Sequence, residues 1–157
     1  MKNFKYLLFL FGLIGMMAFS CRKDENTECE EEPQPVEIIE LQKVGSDTIF
    51  ELQNVANDSQ IDNLIINSQV DYEKYIYSNH PLPFIDFTAY TLLAGRMGTP
   101  STDFFDSQNV YIACNELTYT VYIARGPSQA PSIVYYFAII PKTDVHIVFN
   151  IIYPYPF

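Results

Sequence analysis

Ile133-Val134-Tyr135-Tyr136-Phe137-Ala138-Ile139-Ile140 is apolar on both of its strand faces. A half-buried strand alternates apolar with polar residues, so an unbroken run of this length predicts an interior strand covered on each side. The segments around it do alternate. Leu117, Tyr119, Val121 and Ile123 share one face, opposed by Thr118, Thr120 and Tyr122. After the turn Pro141-Lys142-Thr143, the residues Val145, Ile147, Phe149 and Ile151 face inward, with Asp144, His146 and Asn150 outward. Gly126-Pro127-Ser128 supplies the other turn. Upstream, Tyr90 to Ala94 and Asn109 to Asn115 read as strands, with a turn region at Gly95–Pro100 between them.

One helix interrupts this pattern. Ser68 is placed as its N-cap and Asp71 three positions on as a short capping-box partner. Tyr72, Tyr75 and Ile76 form an apolar stripe at helical spacing, and Pro81 and Pro83 forbid continuation, so the helix is expected over 69–78. Val36 to Leu41 reads as a first strand, Asp47 to Leu52 as a weaker second element, and Leu64 to Asn67 as a short apolar strand. Strands with turn signals around one helix predict an α+β fold. It consists of a mainly antiparallel sheet of about six to seven strands packed with one short helix.

The N-terminus carries an address. Lys2 and Lys5 precede an apolar run from Leu7 to Phe19, which ends at Ser20-Cys21. That pattern reads as a secretory signal, and the run is shorter than the about 20 residues that a membrane-spanning helix requires. A cysteine directly after the small residue predicts a lipoprotein signal peptide over 1–20, with Cys21 as the lipidated residue. Ala18-Phe19-Ser20 lacks the leucine usual three residues before that cysteine. Arg22-Lys23-Asp24-Glu25 then resembles the export signal of Bacteroidota surface lipoproteins. The resemblance implies an outer-membrane, surface-exposed location held by N-terminal acyl chains. Residues 21–35 are acidic, contain two prolines and lack apolar periodicity, so they are expected to be a disordered tether. Residues 36–157 then form a single globular domain.

Without residues 1–20 the chain holds seven basic and 19 acidic residues, a formal charge of −12. Such a surface repels phosphate backbones and argues against nucleic-acid binding. Of the three cysteines, Cys21 is assigned to lipid. Cys114 alternates with Val110 and Ile112, which favours a buried free thiol over a bridge to Cys29, and the pairing stays open at this level. No zinc-ligand spacing, cofactor motif or nucleophile elbow is present in the sequence, so the expectation is no metal, no cofactor and no enzymatic activity. The weaker alternatives are an acid–base pair of His80 and Asp86, a phosphate loop at Gly95-Arg96-Met97-Gly98-Thr99 and a calcium loop at Asp58, Asp62 and Asn63. They read better as capped turns, a strand-to-strand turn and a polar loop.

Aromatic residues remain as candidate binders. The chain has 12 tyrosines, 12 phenylalanines and no tryptophan. Tyr111, Tyr122 and Tyr136 lie opposite the clearest apolar stripes and are the candidate binding residues, since exposed tyrosines anchor partners or stack on sugars.

The order Asn63-Leu64-Ile65-Ile66, a short helix, Pro83-Phe84-Ile85-Asp86-Phe87-Thr88, Thr91-Leu92-Leu93-Ala94-Gly95 and the late Ile140-Pro141-Lys142 resembles the small secreted domain of protease-complex accessory subunits (PrcB-like). The resemblance implies a non-catalytic α+β domain that associates with an envelope or surface protein such as a protease. The chain departs from that pattern in lacking the helix tryptophan and in having fewer glycines around 96–104. Two functions are therefore expected: a lipid-anchored accessory or interaction protein, or alternatively a surface glycan- or small-ligand-binding lipoprotein.

Overall fold

The computed structural model describes residues 31–41, 47–55 and 61–153. In chain order the elements are β1 (Gln34–Pro35), β2 (Phe50–Leu52), β3 (Ile61–Ile66), α1 (Gln69–Tyr75), β4 (Ile76–Ser78), β5 (Tyr90–Thr99), β6 (Phe104–Ala113), β7 (Glu116–Ala124), β8 (Ser132–Pro141) and β9 (His146–Ile152). They build a four-stranded sheet in the order β1-β6-β7-β9, a three-stranded sheet in the order β3-β5-β8, and the pair β2-β4. The fold is α+β and mainly β, with one short helix among the described residues.

β8 explains how these pieces stack. Its Val134, Tyr136, Ala138 and Ile140 join one core with Val110, Leu117, Tyr119, Val121 and Ile123 of the four-stranded sheet. Its Phe137 and Ile139 join a second core with Phe50, Leu52, Tyr72, Ile76 and Ile85. The period of two thus sends alternate residues into different cores, and both faces must be apolar. Each fully buried large side chain stabilises by about 1.5–3 kcal/mol. A polar residue in the middle of β8 would therefore cost on either face.

Several boundaries differ from the sequence reading. β5 runs through Gly95 and Gly98 to Thr99 in register with β8, so the predicted turn region is strand. The helix stops at Tyr75, three residues before the predicted end, because Ile76-Tyr77-Ser78 pairs with Leu52-Glu51-Phe50. Its cap forms as predicted. The Asp71 amide donates to the Ser68 hydroxyl at 3.1 Å, and that hydroxyl donates to the Asp71 carboxylate at 2.7 Å. The first pairing occurs at Gln34–Pro35 against β6, inside the predicted tether, and the chain then crosses sheets. Val36 N–H bonds Val110 at 2.9 Å, while Ile39 exchanges both backbone bonds with Ile139 of β8. Between β6 and β7, Cys114 and Asn115 have φ of 53° and 60° and form a two-residue hairpin turn. β9 returns beside β7 in parallel, against the antiparallel rule of the other pairs.

The second core contains one orphan. Tyr72 is fully buried against Phe87, edge to face at 5.7 Å, and its hydroxyl finds no hydrogen-bond partner among the described residues. Burial pushes that hydroxyl up to about 12. An unpaired buried hydroxyl costs about 1–3 kcal/mol. Tyr72→Phe is therefore expected to leave stability unchanged or raise it by up to about 1 kcal/mol. A fall in the urea midpoint would show that the hydroxyl is satisfied in solution.

Candidate functional site

The outward face of the four-stranded sheet is the feature that the cores leave over. The β6–β7 register pairs Tyr111 with Thr118, Asn109 with Thr120 and Ser107 with Tyr122. β9 adds His146, Val148, Asn150 and Ile152 beside Glu116, Thr118, Thr120 and Tyr122. None of these side chains belongs to either core, whereas Val110, Leu117, Tyr119, Val121, Ile147, Phe149 and Ile151 of the same strands do. Local alternation is the cause: threonines, asparagines and tyrosines occupy the other parity, and they suit a pleated, half-wet surface.

Tyr111 and Tyr122 thus lie opposite the apolar stripes, as the sequence predicts, and the register puts them on one face, near opposite ends of it. Tyr111 is 41% exposed and Tyr122 half-buried. At the Tyr111 end lies a hollow of about 400 Å³ lined by Pro33, Tyr111, Ala113, Glu116 and Thr118. Its lining residues pair the apolar Pro33, Ala113 and Tyr111 ring with three polar groups, the Glu116 carboxyl and the hydroxyls of Tyr111 and Thr118. One wall, Pro33, comes from the segment just before β1, which sequence reasoning placed in the tether.

Tyr136 is corrected. It is 1% exposed, packs edge to face on Tyr119, and donates its hydroxyl to Asn63 at 2.6 Å. Alternation misplaced it because β8 is covered on both sides and its parity carries no information about exposure. Cys114 is corrected too. It is exposed at the hairpin turn, its amide donates to the Glu31 carboxylate at 2.9 Å, and its sulfur is in a disulfide. The chain's other cysteines, Cys21 and Cys29, lie outside the described residues, as do Arg22, Lys23, Asp24 and Glu25.

The residues of the weaker alternatives make local structural contacts. Asp86 accepts from the Thr88 amide at 2.9 Å and hydroxyl at 2.6 Å, and these bonds hold its carboxyl below the usual range. The His80 amide bonds the Ser78 hydroxyl in an exposed turn. Asp62 is paired with Arg96 at 2.6 Å and Asn63 accepts from Tyr136, while Asp58 lies outside the described residues. Among the described residues no group of three potential metal ligands comes together.

Sequence reasoning missed one polar cluster. Asp103 is buried, and its carboxylate accepts from the Ser101 hydroxyl, the Gly126 amide at 3.0 Å and the Tyr153 hydroxyl at 2.6 Å. Ser132 and Thr99 close the cluster through the Ser101 carbonyl at 2.7 and 2.8 Å. These bonds join the β5–β6 connection to the end of β7, the start of β8 and the end of β9. No local motif announces it, since its members are scattered from position 99 to 153.

Comparison of the chain with protein-family models, with curated proteins and with solved structures gives no match. Function must therefore be argued from the open face itself.

Proposed function

We propose that this chain is a lipid-anchored accessory protein of the outer cell envelope. In this reading it binds a protein partner through the outward face of its four-stranded sheet and performs no chemistry of its own. The observation that carries it is the placement of Tyr111 and Tyr122 on one outward face, with the Glu116 hollow beside Tyr111. Tyrosines combine large apolar area with a hydrogen-bonding tip and lose little entropy on docking, which makes them frequent anchors. A hollow with apolar groups and one carboxylate suits a lysine or arginine side chain, stem against Pro33 and Tyr111 and charge toward Glu116. The charge of −12 without residues 1–20 steers basic partners in the same sense. The PrcB-like resemblance supports a protease or another envelope subunit as that partner.

Cross-linking on intact cells with tagged full-length protein tests the reading. Tyr111→Ala with Tyr122→Ala is expected to weaken capture of the partner by about 30-fold or more, the effect of losing about 2 kcal/mol of anchor. The thermal midpoint should hold, since neither side chain enters a core. Undiminished capture by a folded double variant would move the partner surface elsewhere. Cys21→Ala is expected to release the folded domain from the membrane fraction, and its retention there would end the lipoprotein assignment. A second reading, binding of a small ligand, draws on the same hollow, whose volume falls within the about 300–1,000 Å³ of small-molecule sites.

A further inference from the structure

We infer that β3 is a pairing edge for a second copy of this chain, the two β3 strands running antiparallel about a twofold axis at Asn63. The contact lies on the three-stranded sheet and does not use the outward face proposed above for a protein partner.

β3 is an outer strand. It pairs with β5 along one side from Ile61 to Ile66, and no described residue pairs with its other side. Open edges are ordinarily blunted by lysine, proline, a bulge or a lone charge, because a row of free backbone groups templates another strand. β3 carries none of these. Its register with β5 is unbroken, and Asp62, its one ionised side chain, is paired with Arg96 of β5 at 2.6 Å. Covering the edge therefore buries an ion pair and not an uncompensated carboxylate. The edge is apolar as well. Leu93 and Met97 of β5 are fully buried in the first core, and their lateral neighbours Ile65 and Ile61 continue that row outward, where they are 45% and 41% exposed. An added strand satisfies the backbone groups and covers both isoleucines at once.

The order of residues selects the occupant. In Ile61-Asp62-Asn63-Leu64-Ile65 the two exposed isoleucines are mirrored about Asn63. A twofold contact matches residue i of one copy with j of the other, and j with i. Antiparallel pairing centred on Asn63 thus sets each Ile61 opposite the Ile65 of the other copy, twice over and on one face. It also sets each Asp62 opposite a Leu64, so like charges do not meet. At the axis the two Asn63 side chains face each other. Asn63 Oδ1 accepts from the Tyr136 hydroxyl at 2.6 Å, which fixes the amide, and its NH2 group has no partner among the described residues. Each NH2 donates to the other copy's Oδ1, which has a second lone pair to accept with.

A pairing of two six-residue edges lies at the low end of specific interfaces, so the dimer is expected to dissociate on dilution. Sedimentation velocity of the full-length protein in detergent over about 1–100 μM tests this. Wild type should pass from monomer to dimer in that range. Tyr111→Ala with Tyr122→Ala should do the same, which separates this contact from the partner face. Ile65→Lys should weaken the dimer by about tenfold or more. Its thermal midpoint should hold, since Ile65 enters neither core. Added salt should strengthen the dimer, because two chains of charge −12 without residues 1–20 repel at long range, whereas it should weaken capture of a basic partner. Disulfide trapping reads the register. Co-expressed Ile61→Cys and Ile65→Cys chains with different tags should cross-link to each other on oxidation, while either variant alone stays at the wild-type level. Protein that remains monomeric up to about 100 μM overturns the inference. Dimerisation undiminished by Ile65→Lys, or trapping by either cysteine variant alone, overturns it too. β3 amides that gain exchange protection only when an envelope protein is added would also overturn it, and would give the edge to a foreign strand.

Discussion

Asp103→Ala is expected to destabilise the domain by about 3 kcal/mol or more, enough to threaten folding of a protein with ordinary marginal stability. The carboxylate receives donors from Ser101, Gly126 and Tyr153, and all of them lose their acceptor together. The amide of Gly126 cannot turn elsewhere. A Cβ there would sit 1.7 Å from the Thr102 carbonyl oxygen, so the backbone of β7's end is pressed against the β5–β6 connection. Burial alone would raise the Asp103 carboxyl, but the bonds from Ser101, Tyr153 and Gly126 outweigh it and hold the carboxyl below its ordinary value of 3.8. A depressed folded value means that the charge contributes its stability in full above the unfolded value and loses it as pH falls through the folded one. Urea unfolding of Asp103→Asn and wild type should therefore differ most near neutral pH, with the gap narrowing as pH falls from about 4 toward the lower folded value. A gap that persists undiminished at pH 3 would mean that geometry, and not charge, makes the cluster.

This cluster marks the limit of what was legible. The strands β7, β8 and β9 could be read because each carries its own burial pattern: strict alternation where one face is wet, unbroken apolarity where neither is. The helix start could be read from Ser68 and Asp71, which act on their own backbone. What failed was everything decided at a distance. The helix ends early because β2 captures Ile76 to Ser78, a partner about 25 residues away. One local feature is also faint: Cys114 reads as strand because an Asn at the second turn position without glycine is a weak signal, although both residues adopt positive φ. The parallel return of β9 leaves no trace in β9 itself.

The candidate site divides in the same way. Tyr111 and Tyr122 follow from parity within β6 and β7, and the register then puts them on one face. The hollow beside Tyr111 does not follow, because Pro33 reaches it from about 80 residues away in a stretch whose composition reads as solvent-loving linker. Tyr136 failed for the converse reason. On a strand with two buried faces, choosing the face does not choose between core and solvent.

Gly95→Ala is expected to cost about 3 kcal/mol, although a glycine in a strand is ordinarily a place where alanine helps. Alanine would restrict the unfolded chain and gain about 0.4–1 kcal/mol. Against this, the ring of Tyr136 lies across Gly95, and an added Cβ would stand 2.1 Å from its Cε2, 2.4 Å from Cζ and 2.6 Å from Oη. Asn63, Gly95 and Tyr136 are lateral neighbours on β3, β5 and β8, so the tyrosine spans the glycine to reach Asn63 on the far strand. A methyl at 95 must lift the ring. That breaks the 2.6 Å bond to Asn63, disturbs the edge-to-face contact with Tyr119 at 6.2 Å, and strands a hydroxyl in a site that is 1% exposed. Overpacking at about 1–3 kcal/mol and an unmet buried hydroxyl at about 1–3 kcal/mol outweigh the entropic gain. A double-mutant cycle isolates the contact. Tyr136→Ala should cost less in the Gly95→Ala background than in wild type, by about 1–2 kcal/mol, because removing the ring there also relieves its clash with the added methyl. Additive costs would mean that the ring does not lie over Gly95, and the glycine would then need another reason to interrupt the core strand.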